Sequence, residues 1–274
     1  MEIFYLNNAG KKINMDGFPI AIQDPENLFA YEWDYETKKS TITSFTKDVA
    51  VKNVTLSIFA DSKVEFGEIM NNICAVTEAD IISLSPGKLY VNGYYMECYI
   101  NASEYTEYEE DFYTTDKKVQ IVTAHPFWIK EELFSFARIT NVIFDSEGLD
   151  YDIGYSYDYS NSLVNQKIIN NHYAACDFEM TIYGSCDNPH ISIGAHTYSV
   201  EASLITGEYI KINSITKKIY KVKNNGENIN LFHYRGRDFN IFEKIPTGIL
   251  NVAWGGGFGF DIKLLQERSE PEWT

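Results

Sequence analysis

The sequence predicts a mainly β protein: an N-terminal β domain carrying one α-helix, followed by an antiparallel β-sandwich. Three observations predict it. Aromatic residues fill 15% of the 274 positions, with 20 Tyr and 17 Phe, and flat rings pack well on a pleated surface. Short apolar–polar alternations recur between turn-forming clusters of Asn, Gly and Asp. One segment alone, near 62–76, changes to helical spacing.

The elements follow in order. Residues 3–6 and 13–15 flank Asn7-Asn8-Ala9-Gly10, a natural turn. Residues 30–35 and 40–45 flank Glu36-Thr37-Lys38-Lys39, a second candidate hairpin. Val54, Leu56 and Ile58 alternate with Thr55, Ser57 and Phe59, the pattern of a half-buried strand. Ser62-Lys63-Val64-Glu65 then matches a capping box, in which a hydroxyl and a carboxylate satisfy free amides at a helix start. Phe66, Ile69, Met70 and Ile73 follow at helical spacing, a stripe better read as core packing than as a binding face. Leu89-Tyr90-Val91, Asn92-Gly93 and Tyr94-Tyr95-Met96 form a strong hairpin signal, because Asn-Gly tolerates the positive φ of a type I′ turn. Residues 119–123 give another strand, ending at His125-Pro126-Phe127-Trp128.

A domain boundary is expected between about Trp128 and Asp145. Past it, Gly, Asn, Tyr and Ser rise, and short strands recur at the spacing of a sandwich. The candidates are 175–183, 190–193, 196–204, 209–213, 219–222, 230–232, 248–254 and 258–265. The expected organisation is a domain at 1–130 with its helix near 62–76, a sandwich at 145–264 and a tail at 265–274. The tail is charged and then aromatic from Glu267 to Trp273, and it is expected to return and pack on the N-terminal domain.

Composition excludes several functions. The chain is 45% hydrophobic, enough for a real core. Its net charge is −16, with the acidity spread over both halves, and such a surface repels a phosphate backbone. No nucleic-acid partner is expected. The start, MEIFYLNNAGKKI, has an acid at Glu2 and no long apolar core, so no signal peptide is expected and synthesis in a cytoplasm is. No apolar run approaches the ~20 residues of a membrane span.

Motifs for catalysis are missing. GxSxG and HExxH are absent. His190 and His196 are close enough in sequence for a metal pair, but no carboxylate accompanies them and surface residues are the better reading. The acidic run at 104–111 reads as a solvated loop or exposed strand before it reads as a cation site. The glycines of Trp254-Gly255-Gly256-Gly257-Phe258-Gly259-Phe260 are followed by β-forming residues, so they suit a bend where strands cross closely and not a phosphate cradle. Cys74, Cys98, Cys176 and Cys186 form no CxxC pair; buried thiols are the plainer reading, and a Cys176–Cys186 disulfide across a hairpin is the alternative. No pair of carboxylates stands out for glycoside hydrolysis. The sequence therefore yields no catalytic, cofactor or metal residue, and no cofactor is expected.

Three blocks carry a family resemblance. They are Pro86-Gly87-Lys88-Leu89-Tyr90-Val91-Asn92-Gly93-Tyr94-Tyr95-Met96-Glu97-Cys98, then Thr123-Ala124-His125-Pro126-Phe127-Trp128. The third runs from Ile245-Pro246-Thr247-Gly248 through Gly257-Phe258-Gly259-Phe260-Asp261 to Gln266-Glu267-Arg268-Ser269-Glu270-Pro271-Glu272-Trp273. In order and spacing they resemble the distal tail (Dit) protein family of tailed phages and tail-like particles, over nearly the whole chain. The resemblance implies a non-enzymatic virion protein at the tail tip. Its N-terminal domain would form a hexameric ring on the tail tube, and its C-terminal domain would be a galectin-like sandwich. Implied partners are other copies of the chain, the tail tube protein, the tape-measure protein and a tail-associated lysin, tip or fibre protein. The alternative is a carbohydrate-binding module that recognises host-surface glycan through the C-terminal sandwich. A cell-wall hydrolase ranks last, since the sequence carries no catalytic motif.

Overall fold

The computed structural model describes residues 1–109, 113–139 and 164–272. Glu110 and Asp111 of the acidic run, residues 140–163 around the expected boundary, and Trp273 lie outside them. The fold is mainly β, built of antiparallel sheets, with one α-helix among the described residues. The chain forms two compact units: Met1–Lys130 with Glu267–Thr274, and Glu131–Gln266.

In chain order the first unit contains β1 (Ile3–Leu6), β2 (Lys12–Asn14), β3 (Asp16–Gly17), β4 (Ile20–Ile22), β5 (Asp34–Lys38), β6 (Thr41–Thr46), β7 (Ala50–Phe59), α1 (Lys63–Ser83), β8 (Gly87–Val91), β9 (Tyr94–Glu109) and β10 (Thr114–Thr123). β11 (Trp128–Phe136) begins there and runs on into the second unit. Local chemistry explains the pairings. Asn92 and Gly93 both have positive φ, 48° and 80°, and join β8 to β9 with Val91 opposite Tyr94. β10 pairs along its whole length with β7, and β9 pairs on its other side. β1 lies between β2 and β8. The alternation in β7 puts Val54, Leu56 and Ile58 into a core with Tyr5, Leu89, Met96 and Trp128.

Helix α1 starts where the capping box puts it: Ser62 accepts from the Glu65 amide at 3.2 Å. It extends beyond the expected 76 to Ser83. Its buried face is Ile73, Val76, Thr77 and Asp80, and the last two are polar, so the apolar period fades while the helix continues. Leu84 closes it in the left-handed conformation.

The second unit contains β12 (Val164–Asn170), β13 (Asp177–Tyr183), β14 (Cys186–Asp187), β15 (His190–Ile193), β16 (His196–Ser199), β17 (Ser203–Leu204), β18 (Tyr209–Asn213), β19 (Lys218–Val222), β20 (Asn228–Asn230), β21 (Gly248–Trp254) and β22 (Phe260–Arg268), whose end returns to the first unit. Two layers enclose its core. One runs β20-β19-β18-β13-β22 with β11 beyond, and the other runs β12-β21-β15-β16. Met180, Ile210 and Ile262 from the first layer join Ile168, Ile191, Val252 and Trp254 from the second in one apolar cluster. The expected strand at 196–204 is broken into β16 and β17, because Val200 turns aside to bridge Arg235.

The glycine-rich run links β21 to β22, and these strands lie in different layers. A Cβ at Gly259 would stand 3.1 Å from the Phe136 carbonyl and 3.2 Å from the Arg138 amide. Glycine is needed there for close backbone approach.

Candidate assembly surface

Hairpin β5–β6 differs from the other strands of the first unit. Among the described residues its two strands pair only with each other. Every residue of β5 is exposed, and so is nearly all of β6. Lys39 and Ser40, with φ of 47° and 68°, form a two-residue turn, slightly later than the Glu36–Lys39 turn expected from sequence. That turn matches the natural strand twist, and a bulge at Glu36/Thr37 absorbs the shift. The ribbon carries Tyr35, Ile42 and Phe45, which are 64, 52 and 57% exposed, and Tyr35 faces Phe45 across the pair. A lone two-stranded ribbon is marginal in water, and exposed apolar groups add no stability to it.

The root of the hairpin is anchored. The Lys47 ammonium lies 5.0, 4.7 and 4.3 Å from the ring centres of Tyr31, Trp33 and Phe127. It donates to the Pro126 carbonyl at 3.3 Å and to Ser269 Oγ at 2.9 Å. Burial, and then repulsion from Lys52, lowers Lys47 to about 8. Lys52 donates to the Ala30 carbonyl. Beside them a hollow of about 390 Å³ is lined by Tyr31, Asp34, Val49, Val51 and Lys52, and the two valines are mostly exposed. The hollow thus sets charged groups beside the exposed valines, next to the exposed Tyr35, Ile42 and Phe45 of the hairpin.

The C-terminal strap joins the same unit. His125 Nε2 and Glu267 Oε1 lie 2.7 Å apart, Ser269 accepts from Lys47, and Tyr94 donates to Glu272 at 3.4 Å.

The candidate chemical groups do not converge. His190 stands opposite Ser199 and His196 opposite Ile193, at opposite ends of the β15–β16 hairpin. His196 instead meets the Asn240 carbonyl at 2.8 Å. Cys186 is on β14, which pairs with β17, whereas Cys176 bridges Ile245. None of the four cysteines is in a disulfide, so the Cys176–Cys186 bridge that the spacing admits is not formed. Among the described residues no group of three or more His, Cys, Asp or Glu side chains could hold a metal, and no helix is long and apolar enough to cross a membrane.

The fold is similar to that of solved phage baseplate and adsorption-hub chains. A chain of the phage P2 baseplate, in its activated conformation with Ca, matches 98% of this chain and 99% of its own length, with TM-score 0.63 and 14% identity. The same baseplate with Sr gives the same values. The SPP1 Dit protein (gp 19.1), described as a paradigm of hub adsorption apparatus in Gram-positive infecting phages, matches 97% of this chain and 99% of its own, with TM-score 0.55 and 7% identity. No family model and no curated protein sequence matches. The likeness is carried by the fold and not by the residues.

Proposed function

We propose that this chain is a structural hub subunit of a phage tail tip or a related tail-like particle. Copies close into a hexameric ring through the first unit, at the end of the tail tube. The second unit, a galectin-like sandwich, projects from that ring toward the proteins that contact the host. The tube, tape-measure and tip or fibre proteins are its partners, and it performs no bond chemistry.

The observation that carries this reading is end-to-end correspondence with hub and baseplate chains, both units included. The exposed ribbon β5–β6 supports it. Its apolar side chains, and outer strand edges that pair with no other strand among the described residues, suit a neighbouring copy, and one such contact repeated around an axis closes a ring.

Native mass spectrometry and negative-stain imaging of the full chain, alone and with its tube protein, test the proposal. A six-fold ring is expected, and Tyr35→Ser with Phe45→Ser should abolish it while leaving both units folded. A strict monomer under both conditions would overturn it.

A further inference from the structure

The larger layer of the second unit buries one face and shows the other to solvent. β13 buries Phe178, Met180 and Ile182, so Glu179, Thr181 and Tyr183 point outward. β18 buries Ile210 and Ile212 and presents Lys211 and Asn213. β19 presents Lys218 and Tyr220, and β22 presents Asp261 and Lys263. All of these outward side chains but Tyr183 bound a groove of about 440 Å³, with Leu133 of β11 in its wall.

The carboxylates of this face already have partners. Asn213 donates to Glu179 at 2.7 Å. Lys263 lies 3.0 Å from Glu131 and 3.8 Å from Glu179. Tyr183 donates to Asp261 Oδ2 at 2.6 Å. Lys211 and Lys218 differ: among the described residues neither forms an ion pair, and Lys211 only approaches the Tyr209 ring, at 5.9 Å. In the β18–β19 ladder Lys211 stands opposite Tyr220 and Lys218 opposite Asn213. The two lysines therefore hold diagonal corners of a four-residue block, with backbones about 7–8 Å apart, and the ring and the amide hold the other diagonal.

Two open ammonium groups flanking a half-buried ring call for an anionic ligand with a face to stack, even though the chain as a whole carries −16. The opposite wall offers Thr181 and the second oxygen of Asp261, which suit hydroxyl groups. An acidic peptide suits it poorly, because Glu179, Asp261 and Glu131 would repel further carboxylates.

We propose that this groove binds a saccharide bearing an acidic group, carboxylate or phosphate. The sugar ring lies on Tyr220, the acidic group sits between Lys211 and Lys218, and hydroxyls bond Asn213, Thr181 and Asp261. The site lies wholly within the second unit, so it stands or falls separately from ring assembly.

Titration calorimetry on the full chain tests it, with galacturonate and glucose 6-phosphate as probes. Maltotriose, inorganic phosphate and hexaglutamate are the comparisons. At least one acidic saccharide is expected to bind about tenfold more tightly than all three comparisons, and which one binds identifies the acidic group. Lys211→Gln with Lys218→Gln, and separately Tyr220→Ser, should each weaken that binding about tenfold or more. Arg237→Gln, outside the groove, should not. Circular dichroism shows that each variant is folded. No saccharide binding at about 10 mM, equal binding of hexaglutamate or phosphate, or affinity unchanged in the lysine variant would each overturn the proposal.

Discussion

Tyr5 donates its hydroxyl hydrogen to Asp80 Oδ2 at 2.6 Å, and neither side chain is exposed. The bond ties β1 to the last turns of α1. Asp80 Oδ1 also accepts from the Asn8 amide at 2.9 Å, so one carboxylate fixes both a strand and the turn after it. Burial, and then the bond to Asp80, raises the Tyr5 phenol far above its ordinary value, so it remains a donor throughout the folding range. Tyr5→Phe leaves a buried carboxylate oxygen without its donor and is expected to cost about 1–3 kcal/mol. A lowered urea midpoint at unchanged slope is the measurement. Gly87→Ala is expected to cost more, since its Cβ would collide with the Tyr5 hydroxyl and with Asp80.

The same pair shows where sequence reading stops. The start of α1 is legible because Ser62 and Glu65 are neighbours on the chain. Its end is hidden because Asp80 faces inward as a polar group satisfied by Tyr5, a partner that only the fold supplies. Hairpin β8–β9 is legible for the opposite reason: Asn92-Gly93 carries its own turn geometry. The candidate surfaces are less legible. Tyr35, Ile42 and Phe45 look like ordinary strand residues, and their exposure goes with a ribbon that no third strand joins among the described residues. The groove is assembled by long-range register, with Glu179 opposite both Asn213 and Lys263, and no local pattern encodes that.

A pH-dependent contribution to stability is expected from Glu208 in the second unit. Its carboxylate meets the Lys221 ammonium at 2.6 Å and accepts from the Ile205 amide at 3.0 Å. The bond from Lys221, and then that from Ile205, lowers its pKa below the ordinary 4.5. The unfolded chain therefore takes up this proton before the folded one does. The contribution is fully present above 4.5 and is lost as pH falls through the lower folded value. Melting temperatures across this acidic range should fall less steeply for Glu208→Gln than for the native chain. Parallel curves would show that the pair contributes nothing to acid sensitivity.

Lys47 acts in the alkaline range, where its charge costs stability instead of adding it. In the folded chain burial, then Lys52, lowers it to about 8, whereas the unfolded side chain keeps its proton to 10.5. Between those values the unfolded state binds more protons, so stability should rise with pH. The rings of Tyr31, Trp33 and Phe127 act against this, since each face attracts the cation by about 0.5–2 kcal/mol. Lys47→Met keeps the apolar stem among the rings and removes the charge and the bond to Ser269. Chemical denaturation between pH 8 and 10.5 should show the rise in the native chain and its loss in Lys47→Met. Amide exchange should also quicken across Glu267–Glu272, because the strap loses one of its side-chain anchors while His125–Glu267 and Tyr94–Glu272 remain. If the native chain shows no rise, the three rings hold the charge against burial; if exchange in the strap is unchanged by Lys47→Met, the bond to Ser269 is not what fastens it.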